Sequence, residues 1–386
     1  MIRRAARGAL PLFMLGVALG AASDAAQAAD SVIQFANPME AASEAPKVSL
    51  ALRYFIGNDP LSVQAYQADW RGDYHPRTGM NLGLISARTD LAVQMRGWRL
   101  GYFRRLELQV EASRDTTDLV RLYKTRATAS DGQNFAVNAQ YHGFDAAGWR
   151  IDKALNWKTA GGDEIAVGAG YSLLEGRRVR TGSAQGSVSV LGAGRYGYAV
   201  STDDADSLKD YPFQTPGQSG GHGRSIDLGL SWQTPQGYRL EWIANDLLAR
   251  MRWHDIPGTV SNARSGVTTT DAEGYIVYAP ALAGRNARRD FVQTLPARRV
   301  FAVEAPWRDL MLRASLTQSA GNSYPLIGAV WHFGGNRRLL LDYDLRFRTI
   351  GFKLANEFAF LGVRLSQRDV ADPQAYGVSA GFSMSF

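Results

Sequence analysis

The chain has 386 residues, 45% of them hydrophobic and 11% aromatic, with no cysteine and a formal charge of +7. That length suffices for one large domain or two ordinary ones, and a chain without cysteine has neither a disulfide framework nor thiolate chemistry. Only six of the 43 basic residues are lysine, and the dispersal of the arginines along the chain argues against nucleic acid as a partner.

The chain begins MIRRAARGALPLFMLGVALGAASDAAQAAD, in which Arg3, Arg4 and Arg7 precede an apolar run from Ala9 to Leu19 and small residues lead to Ala26-Gln27-Ala28. This three-part layout predicts a signal peptide over residues 1–28, cleaved near 28/29. The apolar run is roughly half the ~20 residues that span a bilayer, which argues against an anchor. Subtracting three arginines and Asp24 from +7 leaves +5 for the exported chain. Residues 29–46 read as a polar periplasmic N-terminal segment, able to serve as a tether or a small plug.

From residue 47 to 386 the pattern is alternation with a period of two, and no stretch carries convincing helical spacing. Fifteen strands are legible. The first nine are Lys47–Ile56, Met80–Arg96, Trp98–Ser113, Asn134–Phe144, Gly148–Lys158, Asp163–Leu174, Gly186–Val200, Ser225–Gln233 and Tyr238–Trp253. The other six are Arg298–Ala305, Asp309–Gln318, Pro325–Phe333, Arg338–Ile350, Asn356–Arg368 and Ala375–Phe386. Tight connections (Arg96-Gly97, Thr234–Gly237, Gly334–Arg337) alternate with long polar ones (Gly57–Gly79, Arg114–Gln133, Ser201–Arg224, and His254 to about Ala297).

Two architectures generate such alternation: a soluble sandwich or lipocalin-like barrel with its apolar face inside, or a membrane barrel with its apolar face outside. Strand length favours the membrane, because Trp98–Ser113 is far longer than the five or six residues of an average strand. Charge agrees: Arg338, Asp342, Asp344, Arg346 and Arg348 share one face, opposite Leu339, Leu341, Tyr343, Leu345 and Phe347. So does aromatic placement, since Trp98, Trp149, Trp157, Trp232, Trp253 and Trp331 fall near strand ends, at headgroup level. The predicted fold is all-β, an antiparallel transmembrane β-barrel. Its strand number must be even, so one boundary in Arg346–Phe360 or Gly186–Val200 is misplaced; 14 or 16 strands are favoured, and 12 is not excluded.

The last strand, AYGVSAGFSMSF, places Tyr376, Val378, Phe382, Met384 and Phe386 on one face. It resembles the C-terminal signature of Gram-negative outer-membrane β-barrel proteins, a likeness that is close for this strand and architectural elsewhere. The resemblance implies residence in the bacterial outer membrane, lipid as a partner, and recognition of this strand by the barrel-assembly machinery. It specifies no activity, and it leaves a homo-oligomer open.

Histidines are the first place to look for chemistry. His142 shares the polar face with Asn134, Asn138 and Gln140 and reads as a hydrogen-bonded lumen residue. His254-Asp255 is a weak catalytic candidate at the outer rim, without a serine or second aspartate at readable spacing. No pair of histidines has metal-ligand spacing, and no cofactor is expected. The stronger lead is a lumen or solute path lined by Arg99, Arg105, Glu107, Glu111, His142, Arg338, Asp342, Asp344, Arg346 and Arg348. These residues form either a ladder of mutually neutralising charges or a row of fixed guanidinium groups that attracts anions. The functional expectation is a porin-like channel for small polar or anionic solutes. A rim enzyme acting on lipid or peptide, and a plugged structural or assembly barrel, are the alternatives.

Overall fold

A computed structural model describes residues 33, 36–42, 45–192, 195–211, 217–266, 268–270, 276–278, 281–334, 337–366 and 373–386. The expected signal peptide lies outside the described residues. Among the described residues eighteen strands follow in chain order: β1 (Lys47–Asn58), β2 (Met80–Met95), β3 (Trp98–Ser113), β4 (Asn134–Lys158), β5 (Glu164–Gly192), β6 (Arg195–Asp206), β7 (Gly220–Gln233), β8 (Arg239–Arg264), β9 (Thr268–Thr270), β10 (Ile276–Tyr278), β11 (Leu282–Thr294), β12 (Arg298–Trp307), β13 (Leu310–Ser319), β14 (Asn322–Phe333), β15 (Arg337–Asp344), β16 (Thr349–Ala355), β17 (Ala359–Ser366) and β18 (Ala375–Ser385).

Fourteen of these close an antiparallel barrel in the order β1-β2-β3-β4-β5-β7-β8-β12-β13-β14-β15-β16-β17-β18, with β18 returning to β1 and Ser385 opposite Lys47. The even count places the two ends of the barrel sheet at the same rim. Beyond the opposite rim the upper parts of β4, β5 and β8, joined by β6 and β11, continue as a projecting sheet. The architecture is that of an outer-membrane-type barrel: Leu341 is 53% exposed on the outer face while its neighbour Asp342 is 5% exposed inside. Leu50, Leu91, Leu100, Ile151, Leu230, Phe301, Ile327 and Phe382 repeat the outward placement.

The fifteen-strand tally fails at three points. Asn134–Phe144 and Gly148–Lys158 are one strand, bent by a bulge at Asp145/Ala146, and Asp163–Leu174 joins the first part of Gly186–Val200 in β5, the remainder of that stretch returning as β6. Conversely, Arg338–Ile350 is two strands, because the chain turns at Leu345–Arg348. Long predicted connections also carry structure. The stretch after His254 continues β8 and returns as β11, and Arg114–Gln133 contains a helix, α2 (Arg114–Thr125), after the short α1 (Val63–Gln67). Ser113 caps α2 by accepting a hydrogen bond from the Thr116 amide at 3.2 Å. Leu119 and Leu122 lay the helix against Phe135, Val188 and Val190 of the projecting sheet. Its apolar stripe is short and set among charges, so the periodicity was too weak to read.

The described part of residues 29–46 is inside the barrel. A single 3-10 turn at Pro38–Ala42 packs on β3, β4, β5 and β7, and Ile33 lies among Phe55, Leu82, Leu84, Tyr324, Leu326 and Phe347. Two wall glycines make room for it. A Cβ on Gly168 would lie 2.8 Å from the Pro38 carbonyl carbon, and one on Gly229 would lie 3.0 Å from Met39 Cγ.

Candidate functional site

The interior of the barrel carries the charge that the sequence assigned to it, but nearly all of it is paired. Arg150 holds Asp152 through Nε at 2.8 and 2.9 Å and reaches Asp227 through Nη1. Arg99 lies 3.4 Å from Asp152 and 3.6 Å from Glu40 of the N-terminal segment. Arg88 pairs with Asp90, Arg313 lies 3.5 Å from Glu304, and Arg364 pairs with Asp342. The ladder reading of these charges therefore describes the interior: a guanidinium already neutralised at contact distance presents little net field to a passing anion.

Several of these contacts cross the lumen. Arg105 on β3 donates to Asp246 on β8 at 2.9 and 2.6 Å, and Arg298 on β12 pairs with Glu107 on β3. Glu107 also accepts from Arg105, and Arg298 Nε lies 3.5 Å from Asp246, so the four charges make a closed square, with Ser225 donating to Asp246 besides. Higher up, Asn322 on β14 donates to Glu111 on β3 at 2.6 Å, joining strands seven places apart in a ring of fourteen. Gln140 donates to the other Glu111 oxygen. Side chains that meet from opposite walls narrow the space between them at these levels. Cavities inside the wall include one of about 130 Å³ near Glu40, Lys47 and Arg338 and one of about 210 Å³ higher in the lumen. The larger-volume cavity of this pair is lined by Ile33, Leu84, Phe144 and Leu295 on its apolar side and by Glu111 and His142 on its polar side.

The expected path residues divide as follows. Arg99, Arg105, Glu107, Glu111, Asp342 and Asp344 face the interior, His142 lines the upper cavity with Nδ1 3.2 Å from Thr181 Oγ1, and Arg338 lines the lower one. Arg346 and Arg348 do not belong to the lumen row. The strand ends at Asp344, whose carboxylate accepts the Arg346 and Phe347 amides and so fixes the turn. Arg346 then reaches Asp59 at the rim at 2.7 Å, and Arg348 is exposed with φ 54°. The same turn carries Phe347 inward, 3% exposed, instead of to the lipid face. Burial pushes the Asp59 carboxyl above its ordinary value, against the opposing pull of Arg346 and Arg77. Trp253, expected at headgroup level, is buried inside the projecting sheet and donates to Gln293 at 2.9 Å.

His254 and Asp255 sit on the projecting sheet above the barrel wall. His254 Nδ1 lies 3.1 Å from Asp290, and its ring stacks on His222 at 5.4 Å. The Asp255 amide and His254 together hold the Asp290 carboxyl below the usual carboxylate range. Asp255 is paired with Arg288, and the nearest serine, Ser219, donates to the Asp255 carbonyl. No nucleophile stands on His254 among the described residues, and no cluster there could hold a metal ion.

Sequence reasoning missed the partners Asp246, Asp227, Arg150 and Arg298, and the contacts of the N-terminal segment with the wall, because no local spacing links them. Asn37 donates to Glu241 at 3.1 Å and Asn245 to the Ala36 carbonyl at 2.8 Å.

No family model and no curated protein matches the chain. Among solved structures it is similar to the P. putida toluene transporter TodX, at 11% identity over 92% of this chain and 93% of that one, with a TM-score of 0.44. A Pseudomonas aeruginosa FadL homologue matches at 13% identity over 90% and 91%, with a TM-score of 0.42. The outer membrane protease OmpT from Escherichia coli matches at 8% identity over 92% and 100%, with a TM-score of 0.24.

Proposed function

We propose that the protein is an outer-membrane channel whose resting state is closed by its own N-terminal segment. The observation that supports this most is the seat of residues 36–42 inside the wall, against Gly168 and Gly229, where any larger side chain would collide with them. A plug held by a few hydrogen bonds, such as Asn37 to Glu241 and Asn245 to Ala36, can leave without breaking the barrel. Its solute is small, with an apolar body and a polar end, because the upper cavity offers about 210 Å³ with Ile33, Leu84, Phe144 and Leu295 on one side and Glu111 and His142 on the other. Passage of polar solutes stays within this reading; a preference for anions gains no support from guanidinium groups that are already paired.

In planar bilayers the complete chain should conduct rarely, and deletion of residues 33–42 should give a sustained open conductance. Gly168→Val, which forces a side chain into Pro38, should move the protein toward the same state without shortening it. Equal conductance in all three proteins would overturn the gating role and favour a permanently plugged structural barrel.

A further inference from the structure

The outer face of β5, β7 and β8 changes character over three consecutive rungs of the sheet. On the lowest, Leu100, Ile151, Tyr171, Ile226 and Leu247 pair side by side across β3, β4, β5, β7 and β8. The next carries Tyr102, Trp149, Leu173, Arg224 and Arg250, and the one above it Arg104, Ala147, Glu175, His222 and Arg252. Tyr102 and Trp149 touch edge-on, ring centroids 5.3 Å apart, as an aromatic girdle does at headgroup level.

Within this belt Arg224 stands directly opposite Arg250, and His222 directly opposite Arg252. Like charges facing each other across two strands repel. All four side chains are exposed, and among the described residues none of the three arginines has an ion-pair partner. The acids nearby are otherwise placed: Asp145 is bound by Arg104 and Asp290 by His254, leaving only Glu175 beside His222. A bound anion would relieve the repulsion. The surface beneath commits that anion to a lipid, because Ile226, Leu228 and Leu248 are exposed and apolar immediately below the arginines and Leu173 is exposed beside Arg224.

We infer that Arg224, Arg250 and Arg252 form a binding site for the phosphate head of an outer-leaflet lipid whose acyl chains lie along Leu173, Ile226 and Leu228. The inference rests on the outer-membrane reading, though not on the gating of the lumen. Basic side chains at an anionic membrane surface each contribute roughly fivefold in affinity. The test is native mass spectrometry of the complete chain, folded in neutral detergent, with diphosphorylated lipid A, dephosphorylated lipid A or inorganic phosphate as probe. Wild type should retain the diphosphorylated lipid, and Arg224→Gln/Arg250→Gln/Arg252→Gln should weaken it roughly a hundredfold, with Arg250→Gln alone near fivefold. Equal retention by wild type and variants, or equal retention of the dephosphorylated lipid, would overturn the site. Displacement of the lipid by inorganic phosphate at matching concentration would reduce it to an anion site and overturn the lipid assignment. Heat-modifiable gel migration reports separately whether each variant is a folded barrel, so failure of the site and failure of the barrel reading give different results.

Discussion

Asp246→Ala should destabilise the folded barrel by about 3–5 kcal/mol, the range for removing one partner from a buried ion pair. Asp246 is 2% exposed and accepts both guanidinium nitrogens of Arg105 as well as the Ser225 hydroxyl, with Arg298 Nε 3.5 Å away. Without it, the buried Arg105 and Arg298 are left converging on the single carboxylate of Glu107. Asp246→Asn keeps the volume and loses the charge, so it should fall between wild type and the alanine variant. Denaturant unfolding in lipid vesicles, followed by tryptophan fluorescence, measures the difference. An unchanged midpoint for Asp246→Ala would mean that water solvates these charges and that the lumen is open there.

The second large effect belongs to the outer face. Leu341→Arg should cost about 2–4 kcal/mol if the side chain meets hydrocarbon near the bilayer midplane. Leu341 lies between Ala329 of β14 and Phe352 of β16, and Phe352 is itself exposed. Arg308, in the tight turn after β12, gives the comparison: Arg308→Leu, at the membrane margin, should shift the unfolding midpoint far less. Comparable small shifts for both substitutions would remove the lipid from the outer face and with it the transmembrane reading.

The barrel was legible because a strand between oil and a polar interior writes its orientation into adjacent residues. Trp98, Leu100, Tyr102 and Leu106 against Arg99, Arg105 and Glu107 needs no distant information. Strand number was harder because the alternation passes unbroken through features that only backbone geometry marks. The Leu345–Arg348 turn continues the Leu-Arg-Phe-Arg pattern of the strand before it, and the bulge at Asp145/Ala146 inserts an irregularity without a loop-like composition. The site was the least legible part. Arg105 and Asp246 are 141 positions apart and Glu111 and Asn322 are 211, so no local spacing records that they meet across the lumen. Charges within the strands, Arg346 and Arg348 of the turn excepted, could be placed on the inner face, while their pairing depended on which strands closure sets opposite one another.

The unequal height of the strands has an effect on the surrounding bilayer. β4, β5 and β8 have 25, 29 and 26 residues, whereas β15, β16 and β17 have 8, 7 and 8. At roughly 3.3 Å per residue and a tilt near 40°, the three short strands rise only about 18–20 Å, below the ~25 Å apolar band usual for such barrels. Hydrophobic mismatch should therefore thin the leaflets along one flank, leaving the molecule with an elastically strained lipid annulus on that side and a relaxed one on the other. Two copies that abut through their low flanks would share and shrink the strained annulus, so the lipid itself would set a preferred direction for lateral association.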